Sequence, residues 1–293
     1  MQHQNSRFLG RRALMHTALV GGGSILLPRW LTACTEAGSL ANPQPTEADK
    51  GDASQVGDGG STTDASPLTD GSLTESGVWA RGGTASMVQP DAYPNPFGPV
   101  VGACAAFSTM TAGPCTEAAD RGRRDISEGA AGLPLRLGLR FVDSQCNLLA
   151  NAKVKVWHTN VRGSYSGDTP NNAFCINDND ARTKHYFRGV QTTTEDGIVY
   201  FDTCFPGWYP GRAIHIHFTV SVGASSVTSQ VFFDQDLIDG IFRDHPDYAP
   251  FGAPDTPNAS DGVSGSALAS LILKSARMSD GAMLAWRDLV IAT

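Results

Sequence analysis

Apolar and polar residues alternate along several short runs of this chain. A period of two is typical of β-strands, and it is found over residues 133–141, 152–157, 198–201, 213–222 and 227–233. The run 133–141 predicts a half-buried strand, and residues 268–275 and 282–292 could be a closing strand pair or two short helices. Turn residues separate the runs, and no long amphipathic helix is indicated. The pattern predicts a single antiparallel β-sandwich over residues 78–293.

The first 34 residues have the composition of a targeting segment. They carry no acidic residue, and the pair Arg11-Arg12 precedes an apolar run over residues 13–27. This arrangement resembles a twin-arginine export signal. The segment ends in Leu31-Thr32-Ala33-Cys34, which resembles a bacterial lipobox and predicts lipidation of Cys34; the alternative is an ordinary signal peptide cleaved nearby. We therefore expect an exported, periplasmic or cell-surface protein that is anchored to a membrane through Cys34.

Residues 35–77 form a polar, acidic stretch between the targeting segment and the predicted sandwich. Eight acidic residues face the single basic residue Lys50. Such a stretch buries too little apolar surface to offset its ordering entropy, so we expect a disordered linker. The whole chain has a formal net charge of -7, which gives no basic surface for nucleic acid.

The chain contains six cysteines, and export makes disulfides possible. If Cys34 is lipidated, at most two bridges can form among the other five, and the sequence does not assign the pairing. These five are Cys104, Cys115, Cys146, Cys175 and Cys204. None has C-x-x-C spacing, which argues against a zinc–thiolate site.

The strand predicted over residues 213–222 carries two histidines at alternate positions. His215 and His217 therefore point to the same face of the sheet and could form half of a metal site. Tyr209 lies six residues before His215, and a turn at Pro210-Gly211 could bring its phenol to the same metal.

Further residues complete a recognisable set. Trp157, Asn160, Gly163 and Tyr165 follow a strand with the spacing W-x-x-N-x-x-G-x-Y, Arg212 precedes the histidines, and Gln230 lies on the next strand. Together with residues 104–114, 124–126 and 187–191, these motifs resemble the intradiol ring-cleavage dioxygenases, in particular the secreted branch of that family. The resemblance covers roughly residues 100 to 293.

The resemblance implies a β-sandwich that binds one non-haem Fe(III) per chain through Tyr165, Tyr209, His215 and His217. Two phenolates are hard, negatively charged ligands, which favours a trivalent ion. It also implies an oxidoreductase that uses O2 to open a catechol to a cis,cis-muconate-type diacid. Arg212 would stabilise negative charge that develops on the ring, and Gln230 would donate or accept a hydrogen bond beside the site.

Each assignment has a structural alternative. Tyr165 could belong to a surface turn, Tyr209 to a corner of the sandwich, Arg212 to an ion pair, and Gln230 to an ordinary strand. On strict alternation Arg212 would point away from the histidine face, so a bulge or a loop start is required. His158, His185 and His245 are expected to be non-ligands, and Trp157 is expected to be core.

Two departures from the family pattern stand out. Cys115 replaces an aromatic that often follows Gly-Pro, and Ala213 replaces a proline that often follows the arginine. Neither removes a ligand.

The alternative function is an exported β-sandwich binding lipoprotein that keeps the fold without dioxygenase activity.

Overall fold

A computed structural model of the chain describes residues 77–100, 104–167 and 172–292. The predicted export segment, Cys34 and the linker up to residue 76 lie outside the described residues. Among the residues that are described, no helix is both long and apolar enough to cross a membrane.

In the described part of the chain, eight strands form two four-stranded sheets, in the orders β4-β1-β8-β7 and β3-β2-β5-β6. All neighbouring strands are antiparallel except β1 and β8, which are parallel. The predicted β-sandwich is confirmed, with this one parallel pair as an addition. The strands are β1 Pro134–Val142, β2 Lys153–Trp157, β3 Arg188–Thr192, β4 Ile198–Cys204, β5 His215–Val222, β6 Ser225–Phe232, β7 Lys274–Arg277 and β8 Met283–Val290.

The sequence did not predict the ten-residue helix that follows β6. The Asp234 side chain caps it by accepting hydrogen bonds from the N–H groups of Asp236 and Leu237, which satisfies donors that the first turn leaves free. The α-helices are α1 Asn172–Cys175 and α2 Gln235–Asp244. The 3-10 helices are Gly83–Ser86, Pro90–Ala92, Asn179–Thr183, Ala249–Phe251, Asn258–Ser260 and Gly265–Leu271.

The main core lies between the two sheets. Leu135, Leu137 and Leu139 of β1 and Ile216 and Phe218 of β5 have no exposed surface and belong to one apolar cluster. Side chains alternate along a strand, so His215 and His217, which alternate with these residues of β5, face away from this core. The strand pattern thus places two imidazoles on the outer face of the second sheet.

The expectation that β1 is half-buried is wrong, because all nine of its residues are buried. The segment 77–100 covers its outer face. Arg136 of β1 is 2.9 Å from Asp91 of that segment, and the Arg140 guanidinium lies 5.0 Å from the centre of the Phe97 ring. The arginines of the alternating pattern are therefore paired beneath a covering segment rather than solvated.

Among the cysteines that the structure describes, two pairs form disulfides, Cys104–Cys146 and Cys115–Cys175. Cys204 is a free thiol and is buried. This resolves the pairing that the sequence left open for five cysteines.

Candidate metal centre

Four polar side-chain atoms of the predicted ligand set meet in one place. Tyr165 Oη lies 3.5 Å from Tyr209 Oη and 3.4 Å from His215 Nε2. His215 Nε2 lies 3.2 Å from Tyr209 Oη and 3.1 Å from His217 Nε2. The structure thus brings together Tyr165, Tyr209, His215 and His217, which come from the loop after β2, the loop before β5, and β5 itself.

The loop after β2 is shaped by its own polar groups. Asn160 Oδ1 accepts hydrogen bonds from the N–H groups of Arg162 and Ser164. Gly163 has φ +72°, and a Cβ added there would lie 1.9 Å from the Trp208 carbonyl oxygen. Only glycine allows this approach. The spacing W-x-x-N-x-x-G-x-Y therefore describes a loop that presents Tyr165 beside the segment carrying Tyr209.

The two imidazoles are buried and oriented. His215 Nδ1 lies 2.7 Å from the Ala213 carbonyl oxygen, to which it must donate, so Nε2 of the neutral ring is free to bind a metal. The His217 ring stacks on Trp157 with centroids 4.8 Å apart. Burial, and then the Arg212 charge, lowers the pKa of His215 to about 3. Burial and the neighbouring His215 likewise lower the pKa of His217.

The two phenols are neutral unless a cation is present. Burial raises the pKa of Tyr165 well above its usual value and also raises the pKa of Tyr209. A bound multivalent cation reverses this effect because it stabilises the phenolate. Tyr165 is 2% exposed, whereas Tyr209 is half-buried, so Tyr209 is the more accessible of the two.

The arrangement fits a metal ion. Ligand atoms bound to one ion at about 2.1 Å lie roughly 3.0–3.4 Å apart, close to the separations among the four atoms. The two imidazole Nε2 atoms lie 3.1 Å apart and can share at most one hydrogen bond with each other, whereas a shared cation would bind a lone pair of both. Among the described residues, no group of three or more His, Cys, Asp and Glu could hold a metal ion, so the phenols are needed to complete the set.

Arg212 and Gln230 lie beside the four atoms and contact each other. Arg212 precedes the first residue of β5, which provides the loop start that strict alternation required. Its Nη2 donates to Gln230 Oε1, and its Nε donates to Asp261 Oδ2 over 2.9 Å. Gln230 is fully buried and pairs with His217 across β5 and β6.

Asp261 was not found from the sequence. It lies in a 3-10-rich loop, where no motif marks it. Its Oδ2 accepts from the Ala213 N–H as well as from Arg212. Burial alone would raise the pKa of Asp261, but the N–H groups of Ser264 and Ala213 and the Arg212 guanidinium lower it to about 2. Asp261 therefore holds Arg212 as a fixed, charged partner.

The remaining candidates lie elsewhere. His158 contacts the Thr159 carbonyl and the Thr203 hydroxyl, His185 contacts Glu117, and His245 contacts the Ala80 carbonyl. All three are outside the four-atom cluster. Trp157 is 1% exposed, in agreement with the core position expected for it.

No family model matches the sequence, and no curated protein matches it. Among solved structures, the chain is similar to an intradiol ring-cleavage dioxygenase from Tetranychus urticae, with 28% identity and a TM-score of 0.56. That alignment covers 64% of this chain and 95% of the other.

Two further structures are similar at lower TM-scores. One is the dioxygenase domain of a dioxygenase–carbohydrate-binding protein fusion from Streptomyces sp. SirexAA-E, with 22% identity, coverage of 64% and 99%, and a TM-score of 0.48. The other is catechol 1,2-dioxygenase from Acinetobacter sp. ADP1, with 20% identity, coverage of 63% and 62%, and a TM-score of 0.44. The likeness to the Tetranychus protein, joined to the motifs of the sequence, shows that the described residues have the β-sandwich fold of the intradiol ring-cleavage dioxygenases.

Proposed function

We propose that this protein is a non-haem Fe(III)-dependent dioxygenase that cleaves a catecholic aromatic compound between its two hydroxyl-bearing carbons. O2 would be the co-substrate, and a cis,cis-muconate-type diacid the product. One observation carries the proposal: two phenol oxygens and two imidazole nitrogens converge with separations of 3.1–3.5 Å. One iron per chain would be held by Tyr165, Tyr209, His215 and His217.

Bound Fe(III) would supply a Lewis acid for the catechol oxygens and an acceptor of electron density during the reaction with O2. The chain's own groups prepare the site for this chemistry. With the cation bound, Tyr209 would be a phenolate and would accept a proton from a substrate hydroxyl at its Oη, whereas the enclosed Tyr165 would stay in place. The Arg212 guanidinium, fixed by Asp261 and Gln230, would stabilise negative charge that develops on the ring.

The test is the metal content and the chemistry of the purified protein. We expect about one iron per chain and a burgundy colour from tyrosinate-to-Fe(III) charge transfer. Catechols should cause O2 consumption and give a muconate-type diacid. A colourless protein with stoichiometric zinc or copper after iron-replete expression would contradict the proposal and favour a binding lipoprotein. An aldehyde product, from cleavage outside the diol, would contradict the intradiol assignment.

We also propose that the protein is exported by a twin-arginine-type route and anchored at the periplasmic or cell surface through Cys34. Two features support this: the Leu31–Cys34 motif and the two disulfides of the folded domain, which are typical of oxidising compartments. The mature protein should partition into detergent, and Cys34→Ser should release it or block its processing. An unmodified N-terminus elsewhere, on a freely soluble protein, would contradict the anchor.

A further inference from the structure

The Cys115–Cys175 disulfide packs against one of the proposed iron ligands. Cys115, Cys175, Trp157 and Tyr165 form one buried cluster, and each is at most 3% exposed. The Tyr165 N–H donates to the Cys175 carbonyl oxygen over 2.8 Å. The backbone of Tyr165 is therefore tied directly to one half of the disulfide.

The other half of the disulfide leads to the second side of the site. Gly113, two residues before Cys115, lies so close to His217 that an added Cβ would be 3.6 Å from its Cε1. The buried Arg188 joins the two sides. It donates to the Cys115 carbonyl over 2.8 Å and to the carbonyl of Ser166, next to Tyr165, over 2.9 Å.

The second disulfide offers a contrast. Cys104 and Cys146 are both partly exposed, and Cys146 lies in the turn after β1, where its N–H donates to the Asp143 carbonyl. The two bridges close loops of similar length, with sequence separations of 42 and 60 residues. Chain entropy alone would therefore make their contributions to stability similar.

We propose that the Cys115–Cys175 disulfide and Arg188 are positioning residues for Tyr165, so that the protein holds its metal tightly only while this bridge is intact. The inference rests on the proposed iron function. Its physical basis is that ordering a flexible ligand residue when the metal binds costs free energy. Groups that contact a metal ligand and hold it in place typically change metal affinity by about 10- to 100-fold. Cys115, which departs from the family pattern, would then serve to hold Tyr165 in position.

The experiment compares two double variants, Cys115→Ala/Cys175→Ala and Cys104→Ala/Cys146→Ala. Alanine is chosen instead of serine because the hydroxyl of a buried serine would have no hydrogen-bond partner. Variants are used instead of a reductant because a reductant would also reduce Fe(III). Transfer of iron to a chelator should be about 10- to 100-fold faster in the first variant than in the wild type, with a shifted charge-transfer band. The second variant should keep the wild-type rate and spectrum.

A readout without metal separates this inference from the proposed function. In the apoprotein, hydrogen exchange of the Tyr165 amide should be at least about 10-fold faster in the Cys115→Ala/Cys175→Ala variant and unchanged in the other. A wild type that binds no iron would overturn the proposed function, and the exchange result would still decide the positioning of Tyr165.

Two results would overturn the inference. One is that the Cys115→Ala/Cys175→Ala variant releases iron at the wild-type rate and shows unchanged exchange of the Tyr165 amide. The other is that both double variants release iron faster than the wild type by the same factor. If circular dichroism shows that the first variant does not fold, Arg188→Met takes its place, because methionine keeps the apolar stem and removes both hydrogen bonds. Faster iron release and faster exchange of the Tyr165 amide in Arg188→Met would then support the inference, and wild-type behaviour would overturn it.

Discussion

Replacing Asp261 with asparagine should destabilise the fold in a pH-dependent way. The Asp261 side chain is fully buried and lies 2.9 Å from the Arg212 guanidinium. Its oxygens also accept hydrogen bonds from the N–H groups of Ala213, Val263 and Ser264. Asparagine has the same shape and retains one acceptor oxygen, but it removes the negative charge. The variant therefore isolates the electrostatic part of the interaction.

The magnitude follows from the pKa of Asp261. These partners lower it from 3.8 to about 2 in the folded protein, and a difference of one in pKa corresponds to about 1.4 kcal/mol. Because the folded-state pKa is depressed, the stabilisation is present above pH 3.8 and is lost as the pH falls through 2. Asp261→Asn should thus lower the free energy of unfolding by about 2 kcal/mol at pH 7 and by about 1 kcal/mol at pH 3.

Urea unfolding followed by tryptophan fluorescence, at several pH values between 7 and 3, measures this difference. Asp255→Asn is the matched control: Asp255 lies in the same loop and accepts from Gly211 N–H, but it is exposed, so its loss should cost less than about 0.5 kcal/mol. A difference between wild type and Asp261→Asn that stays constant from pH 7 to pH 3, or one no larger than the control's, would refute the reasoning.

Four other variants test the site. His217→Ala should lose most of the iron, which metal analysis measures. Tyr209→Phe should keep the fold and shift the charge-transfer band in the absorption spectrum. An unchanged spectrum would remove Tyr209 from the ligand set. Arg212→Ala should keep iron and colour while turnover with catechols falls by roughly 10²–10³-fold; loss of iron would instead make Arg212 a structural residue. Gly163→Ala forces a Cβ to within 1.9 Å of the Trp208 carbonyl at a left-handed φ, so thermal unfolding should show a loss of more than about 1 kcal/mol, and wild-type stability would contradict the packing described.

Local patterns predicted most of the strands and marked Tyr209, His215 and His217 as candidate ligands, whereas Tyr165 followed from the resemblance to the intradiol dioxygenases. The strands β1, β2, β4, β5 and β6 were visible because alternation is a local property of the sequence. The strand β3 was missed because Arg188-Gly-Val-Gln-Thr does not alternate. The helix α2 was missed although Asp234 is a preferred N-cap and Ile238, Ile241 and Phe242 follow at helical spacing.

What the sequence could not predict depends on contacts between distant residues. Asp261 meets Arg212 from 49 positions away, and nothing in its surroundings marks it as the partner of that residue. The burial of β1 depends on segment 77–100 covering its outer face, which periodicity does not indicate. The pairing of Cys115 with Cys175 likewise follows only from the fold.

The parallel pairing of β1 with β8 constrains how the domain can be made. Leu135 pairs with Met283, so β1 lacks its neighbour on that side until the ribosome has synthesised almost all the described domain. Contacts so distant in sequence make folding slow, and an unpaired apolar strand invites association with other chains in the meantime. Shortened chains that stop before residue 283 should therefore aggregate, and productive folding should begin only after synthesis of β8.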